Sequence, residues 1–185
     1  ADPDSGPVPF GRRLKALLPV LEAAGTTGLV VLGSGALPLA APDDHRRFVA
    51  AAEGRPGTVL ANNRFSADAV AVAGIARLRD LPDDLTDNAL PRWLEERAGC
   101  GVADLRETPG LLVDLDSPLD LVLVRGATGP VPGWLPEPPP VVDLTPLGDA
   151  LDRVRTAAGD PAAELIVAGR SGARTIDWLE RHARA

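Results

Sequence analysis

The chain of 185 residues has one cysteine, no methionine and a single lysine, Lys15. A lone cysteine closes no internal disulfide and by itself builds no zinc site, so Cys100, set between two glycines, is expected to be a buried or idle thiol. No apolar run reaches the roughly 18 to 20 residues that cross a bilayer, and no charged-then-apolar segment opens the chain. The expectation is a soluble, cytoplasmic protein without a membrane partner. A basic block is also missing, and the net charge is -7. Phosphate backbones need clustered cations, which excludes nucleic acid as a partner. The preference for arginine over lysine fits a GC-rich coding bias. With no methionine and an Ala-Asp-Pro-Asp opening, the native start is expected to lie outside this sequence.

What is present is ordinary globular material, 45% hydrophobic and 24% charged, enough for one domain or one domain with a small appendage. Glycine and proline, 19 each, predict many loops between short elements. Leu14, Leu17, Leu18 and Leu21 recur at helical spacing over residues 10–24, with Pro19 kinking the helix or dividing it and Gly25 as a stop. Residues 28–33, an unbroken apolar run between glycines, read as a strand buried on both faces. A helix over 42–53 turning Phe48 and Val49 inward follows, then a strand at 58–61 and an extended stretch at 68–73. Thr86-Asp87-Asn88 caps a helix to about residue 98, with Leu90, Trp93 and Leu94 on one face. Residues 102–105 and 111–113 read as short strands, and Asp116-Ser117-Pro118 opens another helix.

Residues 126–140 hold six prolines and three glycines, the composition of a linker. A helix over 146–158, a strand over 164–168 and a helix over 172–183 come after it. This reads as a main domain at 1–125, a linker at 126–140 and a helix-strand-helix extension at 141–185, either a dimerisation element or the edge of the same sheet. The alternation predicts an α/β protein, a three-layer α/β/α sandwich with a mostly parallel sheet. Trp93, Trp134 and Trp178 are expected as packing anchors.

Open α/β sheets bind ligands at the carboxyl ends of their strands, so the loops after the apolar runs carry the candidate chemistry. Gly33-Ser34-Gly35 is either a backbone cradle for phosphate, through Ser34 and Gly35, or a plain strand-to-loop turn. Asn62, Asn63, Arg64, Ser66 and Asp68 crowd two amides, a guanidinium, a hydroxyl and a carboxylate into seven residues. Such groups read a base or sugar and grip phosphate at two points, or make a polar turn. Asp114 and Asp116, two apart, point to one side of an extended stretch and suit magnesium bridged to phosphate. Helix capping by Asp116 or Ser117, with Asp120 in the first turn, is the other use of that segment. Gly169-Arg170-Ser171-Gly172, with Arg174 beyond, forms an anion site at a helix N-terminus or an ordinary turn, and lacks the P-loop and dinucleotide fingerprints.

Three of these segments, in this order, resemble the nucleotide-diphospho-sugar transferase superfamily: Val30-Val31-Leu32-Gly33 with Leu37-Pro38-Leu39, Val59-Leu60-Ala61-Asn62-Asn63-Arg64, and Leu112-Val113-Asp114-Leu115-Asp116-Ser117-Pro118-Leu119-Asp120-Leu121. More narrowly they are similar to its NTP-transferase branch, which includes molybdenum-cofactor nucleotidyltransferases and 2-phospholactate guanylyltransferase. The likeness covers about residues 28–125. It implies an enzyme that joins a nucleoside triphosphate to a phosphorylated small acceptor and releases pyrophosphate. It also implies magnesium held by carboxylates, with Asp116 matching the late ligand. The chain departs from the pattern where a Gly-Asp step would stand, because Ser34 follows Gly33. Nothing in residues 1–27 matches the glycine-rich loop ending in arginine with which the branch opens. A degenerate, non-catalytic member that serves as a ligand-binding or scaffold subunit is therefore the alternative to a nucleotidyltransferase.

Overall fold

In the computed structural model, which describes residues 8–128, 143–169 and 171–184, four short strands form one sheet. They are β1 (Gly28–Leu32), β2 (Thr58–Ala61), β3 (Ala69–Ala73) and β4 (Gly101–Asp104), in the order β1-β3-β2-β4. β3 lies antiparallel to both β1 and β2, while β2 and β4 are parallel. The sheet is thus mixed, which corrects the expectation of a mostly parallel one. β1, β2 and β4 nevertheless all run the same way, and only β3 opposes them.

The central strand explains the layering. All of Ala-Val-Ala-Val-Ala in β3 is buried, and its residues alternate between two clusters as a strand's period of two requires. Val70 and Val72 join Val59 under Leu14 and Leu18 of α1 (Phe10–Ala23) and Leu90 and Leu94 of α3 (Leu90–Glu96). Ala69 and Ala71 join Leu60 under Phe48 and Ala52 of α2 (Pro42–Ala52). Each fully buried Leu, Val or Phe contributes about 1.5–3 kcal/mol relative to exposure. The alanine face lets α2 sit close, as does Gly28, where a Cβ would stand 1.9 Å from the carbonyl oxygen of Ala52. Helices therefore cover both faces of the sheet.

Several local expectations fail for physical reasons. β1 is apolar throughout, yet it is only half-buried and its Leu32 is 53% exposed, because β1 is an edge strand among the described residues. Val49 points outward from α2 while Phe48 points in. Residues 111–113 are not a strand: a 3-10 turn covers Pro109–Leu111, and the next pairing is a single bridge from Asp114 to Ala36. Pro19 stands inside α1 without ending it.

The chain divides into two compact units, Ala1–Asp120 and Leu121–Ala185. The boundary falls within α4 (Pro118–Thr128), which runs past the expected start of the linker, and residues 129–142 lie outside the described part. In the second unit α5 (Thr145–Gly159) and α6 (Ala173–His182) form as expected. The run Glu164–Ala168 does not become a strand: it finds no neighbouring strand, and Ile166 is 82% exposed. Trp178 is exposed and stacked on His182 rather than anchoring a core. Trp93 is half-buried against the α1–α3 cluster, and Trp134 lies outside the described residues. Among the described residues no helix is long and apolar enough to cross a membrane.

Candidate functional site

Because β1, β2 and β4 share a direction, the loops after them, beginning at Gly33, Asn62 and Leu105, leave from one end of the sheet. A cleft of about 740 Å³ opens there and extends between β1 and α1. Its apolar wall includes Leu17, Leu21 and Val31, and its polar end gathers Ser34, Gly35, Asp68, Asp87, Asp114 and Asp116, with Arg13 contributed by α1.

The first loop is held against the third predicted segment by backbone contact. Leu115 donates its N–H to the Gly35 carbonyl at 3.1 Å, next to the Ala36–Asp114 bridge. A Cβ on Gly35 would lie 2.7 Å from Asp114 Oδ1 and 2.8 Å from the Leu115 carbonyl oxygen. Only glycine permits so close an approach. Leu37, buried just beyond, takes a φ of 61°, the left-handed region that a bulky side chain rarely adopts. Burial of its side chain beside Phe48 and the bridge on its other side hold it there.

Asn62 is a strut. It is buried, and its Oδ1 accepts the N–H groups of Asp68 and Ala69, each at 3.0 Å. Its Nδ2 donates to the Leu111 carbonyl at 2.9 Å and to Asp68 Oδ2 at 3.3 Å. All four positions of the amide are thereby used within the chain. Asn63 Oδ1 accepts the Phe65 N–H, and the Ser66 hydroxyl donates to Asn88 Oδ1 at 3.1 Å. Arg64 is ion-paired with Glu95 of α3 and lies near the Phe65 ring, which Arg106 also approaches at 5.4 Å. Of the polar cluster at 62–68, only Asp68 lines the cleft.

The third segment divides its labour. Asp120 Oδ2 accepts the N–H groups of Asp116 and Ser117 and the Ser117 hydroxyl, the last two at 2.7 Å. Ser117 and Asp120 therefore cap α4, and the Asp116 carboxylate lines the cleft instead. Burial raises the pKa of Asp114, an effect opposed by the Leu115 N–H and reinforced by the charges of Asp68 and Asp116. Burial likewise raises Asp68, against its hydrogen bond from Asn62 and with help from Asp116 and Asp87. These carboxylates repel one another at the cleft's polar end.

No protein-family model, no curated protein and no solved structure matches this chain.

Among the residues expected at a site, the structure brings together Ser34, Gly35, Asp68, Asp114 and Asp116. It turns Asn62, Asn63, Arg64 and Ser66 to other partners, and Arg170 lies outside the described residues. Arg13 and Asp87 were missed. Nothing local in the sequence marks Arg13, Asp87 reads as part of a helix cap, and only the tertiary fold sets both on the cleft wall. Among the described residues, no group of three or more His, Cys, Asp or Glu is drawn together closely enough to hold a metal ion. Asp114 and Asp116 both line the cleft. Magnesium is commonly held by one or two carboxylates with phosphate oxygens completing its shell, so the pair fits an ion shared with phosphates and not a protein cage.

Proposed function

We propose that the chain binds a nucleoside triphosphate in the cleft at the ends of β1, β2 and β4 and transfers its nucleotidyl group to a phosphorylated small acceptor. The observation that carries this reading is the meeting of the Ser34–Gly35 loop, Asp68 and the Asp114–Asp116 pair in one cleft at the carboxyl ends of three like-directed strands. In the reaction an acceptor phosphate oxygen attacks the α-phosphorus. The new P–O bond forms as the bond to the β-phosphate oxygen breaks, and pyrophosphate leaves with that electron pair. Ser34 and the Gly35 backbone approach the phosphates, and Arg13 adds a cation across the cleft. Asp114 and Asp116 would hold magnesium, whose charge neutralises the triphosphate when bound. Catalysis is then positioning and charge balance without a covalent intermediate. The finer fold reading, a three-layer sandwich of the nucleotide-diphospho-sugar transferase kind, belongs to the same proposal. Helices on both faces favour it, and β3 alone runs against a parallel sheet.

One observation favours a second reading, a non-catalytic subunit of the same fold with a ligand cleft or a protein-binding surface. Ser34 stands where the resemblance calls for a carboxylate, which leaves the pair at 114 and 116 without a third member.

Thermal unfolding with each nucleoside triphosphate, with and without magnesium, separates the two. Ligand at about 100 times its Kd adds roughly 2.7 kcal/mol, which raises Tm by about 5–10 °C in a chain of this size. A rise with one nucleotide that grows with magnesium and is lost in Asp116→Ala is expected, and it names the base. If no nucleotide moves Tm, the transferase reading fails and the non-catalytic one stands.

A further inference from the structure

The outer edge of β1 is unpaired among the described residues, and its chemistry is unusual for an exposed edge. Proteins blunt such edges with charge, proline or a bulge, and Gly-Leu-Val-Val-Leu has none of these. The Gly33 N–H and the Thr27 carbonyl both bond to the β3 side, so by the strand's period of two Leu29 and Val31 also turn their backbone groups toward β3. Gly28, Val30 and Leu32 then present N–H and C=O outward. A groove flanks the edge on each face of the sheet. One runs under α1 beside Leu17, and the other lies between β1 and α2 beside Val49. Leu17, Leu32 and Val49, 55%, 53% and 52% exposed, form an apolar border around the open strand.

We infer that this edge pairs with the same edge of a second copy of the chain, joining two four-stranded sheets through antiparallel β1 strands centred on Val30. The register is self-complementary. Val30 faces its own copy and Gly28 faces Leu32, all outward-presenting residues, so each facing pair exchanges two N–H···O=C bonds. On the α1 face Leu29 meets Val31, apolar against apolar. No charge in β1 opposes the pairing. Residues 1–7 carry prolines at 3 and 7, and residues 129–142 carry six, each removing a donor that an added strand needs; the proline-free run at 164–168 is the competing occupant within the chain, and amide exchange at 165–167 tells it apart. The groove under α1 is the candidate site's own cleft, which Leu17 and Leu32 also line, so the partner strand would lie beside the bound ligand.

The test is sedimentation velocity on the full chain over about 1–200 µM, with amide exchange read residue by residue. The expected result is a concentration-dependent dimer in which Gly28, Val30 and Leu32 become protected as it forms, while Leu29 and Val31 are protected throughout. Leu32→Lys, at a half-exposed side chain, is expected to weaken the dimer at least tenfold, with protection at Leu29 and Val31 retained as proof of folding. Leu17→Glu, on α1 outside the sheet, is the second variant and should weaken it in the same direction. A monomer at 200 µM with free exchange at Gly28, Val30 and Leu32 overturns the inference. So does a dimer whose new protection falls on residues 165–167 or on α5 and α6.

Discussion

At the residue scale the main result is that dense polar sequence need not be ligand-binding sequence. Asn62 stood out as an amide directly after an apolar strand, and the structure spends that amide on holding the loop at 62–69 to Leu111. Asn62→Ala would orphan the Asp68 and Ala69 N–H groups and the Leu111 carbonyl. Two of these three bonds are buried, and each lost partner in a buried setting costs about 1–3 kcal/mol, so a loss of at least about 2 kcal/mol is expected in urea unfolding. A loss below about 1 kcal/mol would show that water replaces the amide and that it is no strut. Asp68 carries the opposite prediction. Its pKa is raised by burial and by Asp116 and Asp87, so the fold favours its protonated form. Its contribution to stability is present below the ordinary carboxylate range, near pH 4, and is lost as pH rises through the raised value. Asp68→Asn mimics the protonated group and can still accept from Asn62. In chelator it should therefore melt above the parent chain at pH 7, with the gap closing toward pH 3. A gap that widens on acidification would mean that the carboxylate is favoured by a charge partner instead.

At the element scale, helices and the inner strands were legible, because their signals are local. Leucine spacing marked α1, Pro42 with two aspartates marked the start of α2, and Ser117-Pro118 marked α4. The failures fall where a neighbour decides. Leu111–Val113 and Leu165–Val167 have strand composition, but a strand needs a partner edge, and composition does not say whether one is within reach. β1 was legible as a strand and illegible as an edge, since a doubly apolar run describes either a central strand or an edge that awaits a partner. For the site, the spacing of the two aspartates at 114 and 116 suits one wall of a cleft, whereas which of Asp116, Ser117 and Asp120 caps α4 is decided by the fold and not by the order of residues. The convergence of Gly35 with Asp114 spans almost eighty residues, and no local signal reports it.

At the scale of the whole molecule, the buried hydrophobic side chains among the described residues are confined to the first unit and the start of the second. The last in chain order is Val124, and none of the described residues of α5, α6 or the segment between them is buried. Stability comes from apolar area removed from water, so the sheet with α1, α2 and α3 must carry the cooperative unfolding transition. Val154, Ile166 and Trp178 remain exposed and add little. A chain ended after Thr128 should therefore unfold with a Tm close to that of the full chain. One kcal/mol corresponds to about 2–4 °C for proteins of this size, so a difference within about 4 °C is expected by calorimetry. In the full chain, the amides of α5 and α6 should exchange well before those of β3, which is buried throughout. A truncated chain that melts more than about 10 °C lower, or that fails to fold, would show that residues beyond 128 supply core to the sheet. The division of the chain into a stable sheet unit and a helical unit that adds little stability would then have to be given up.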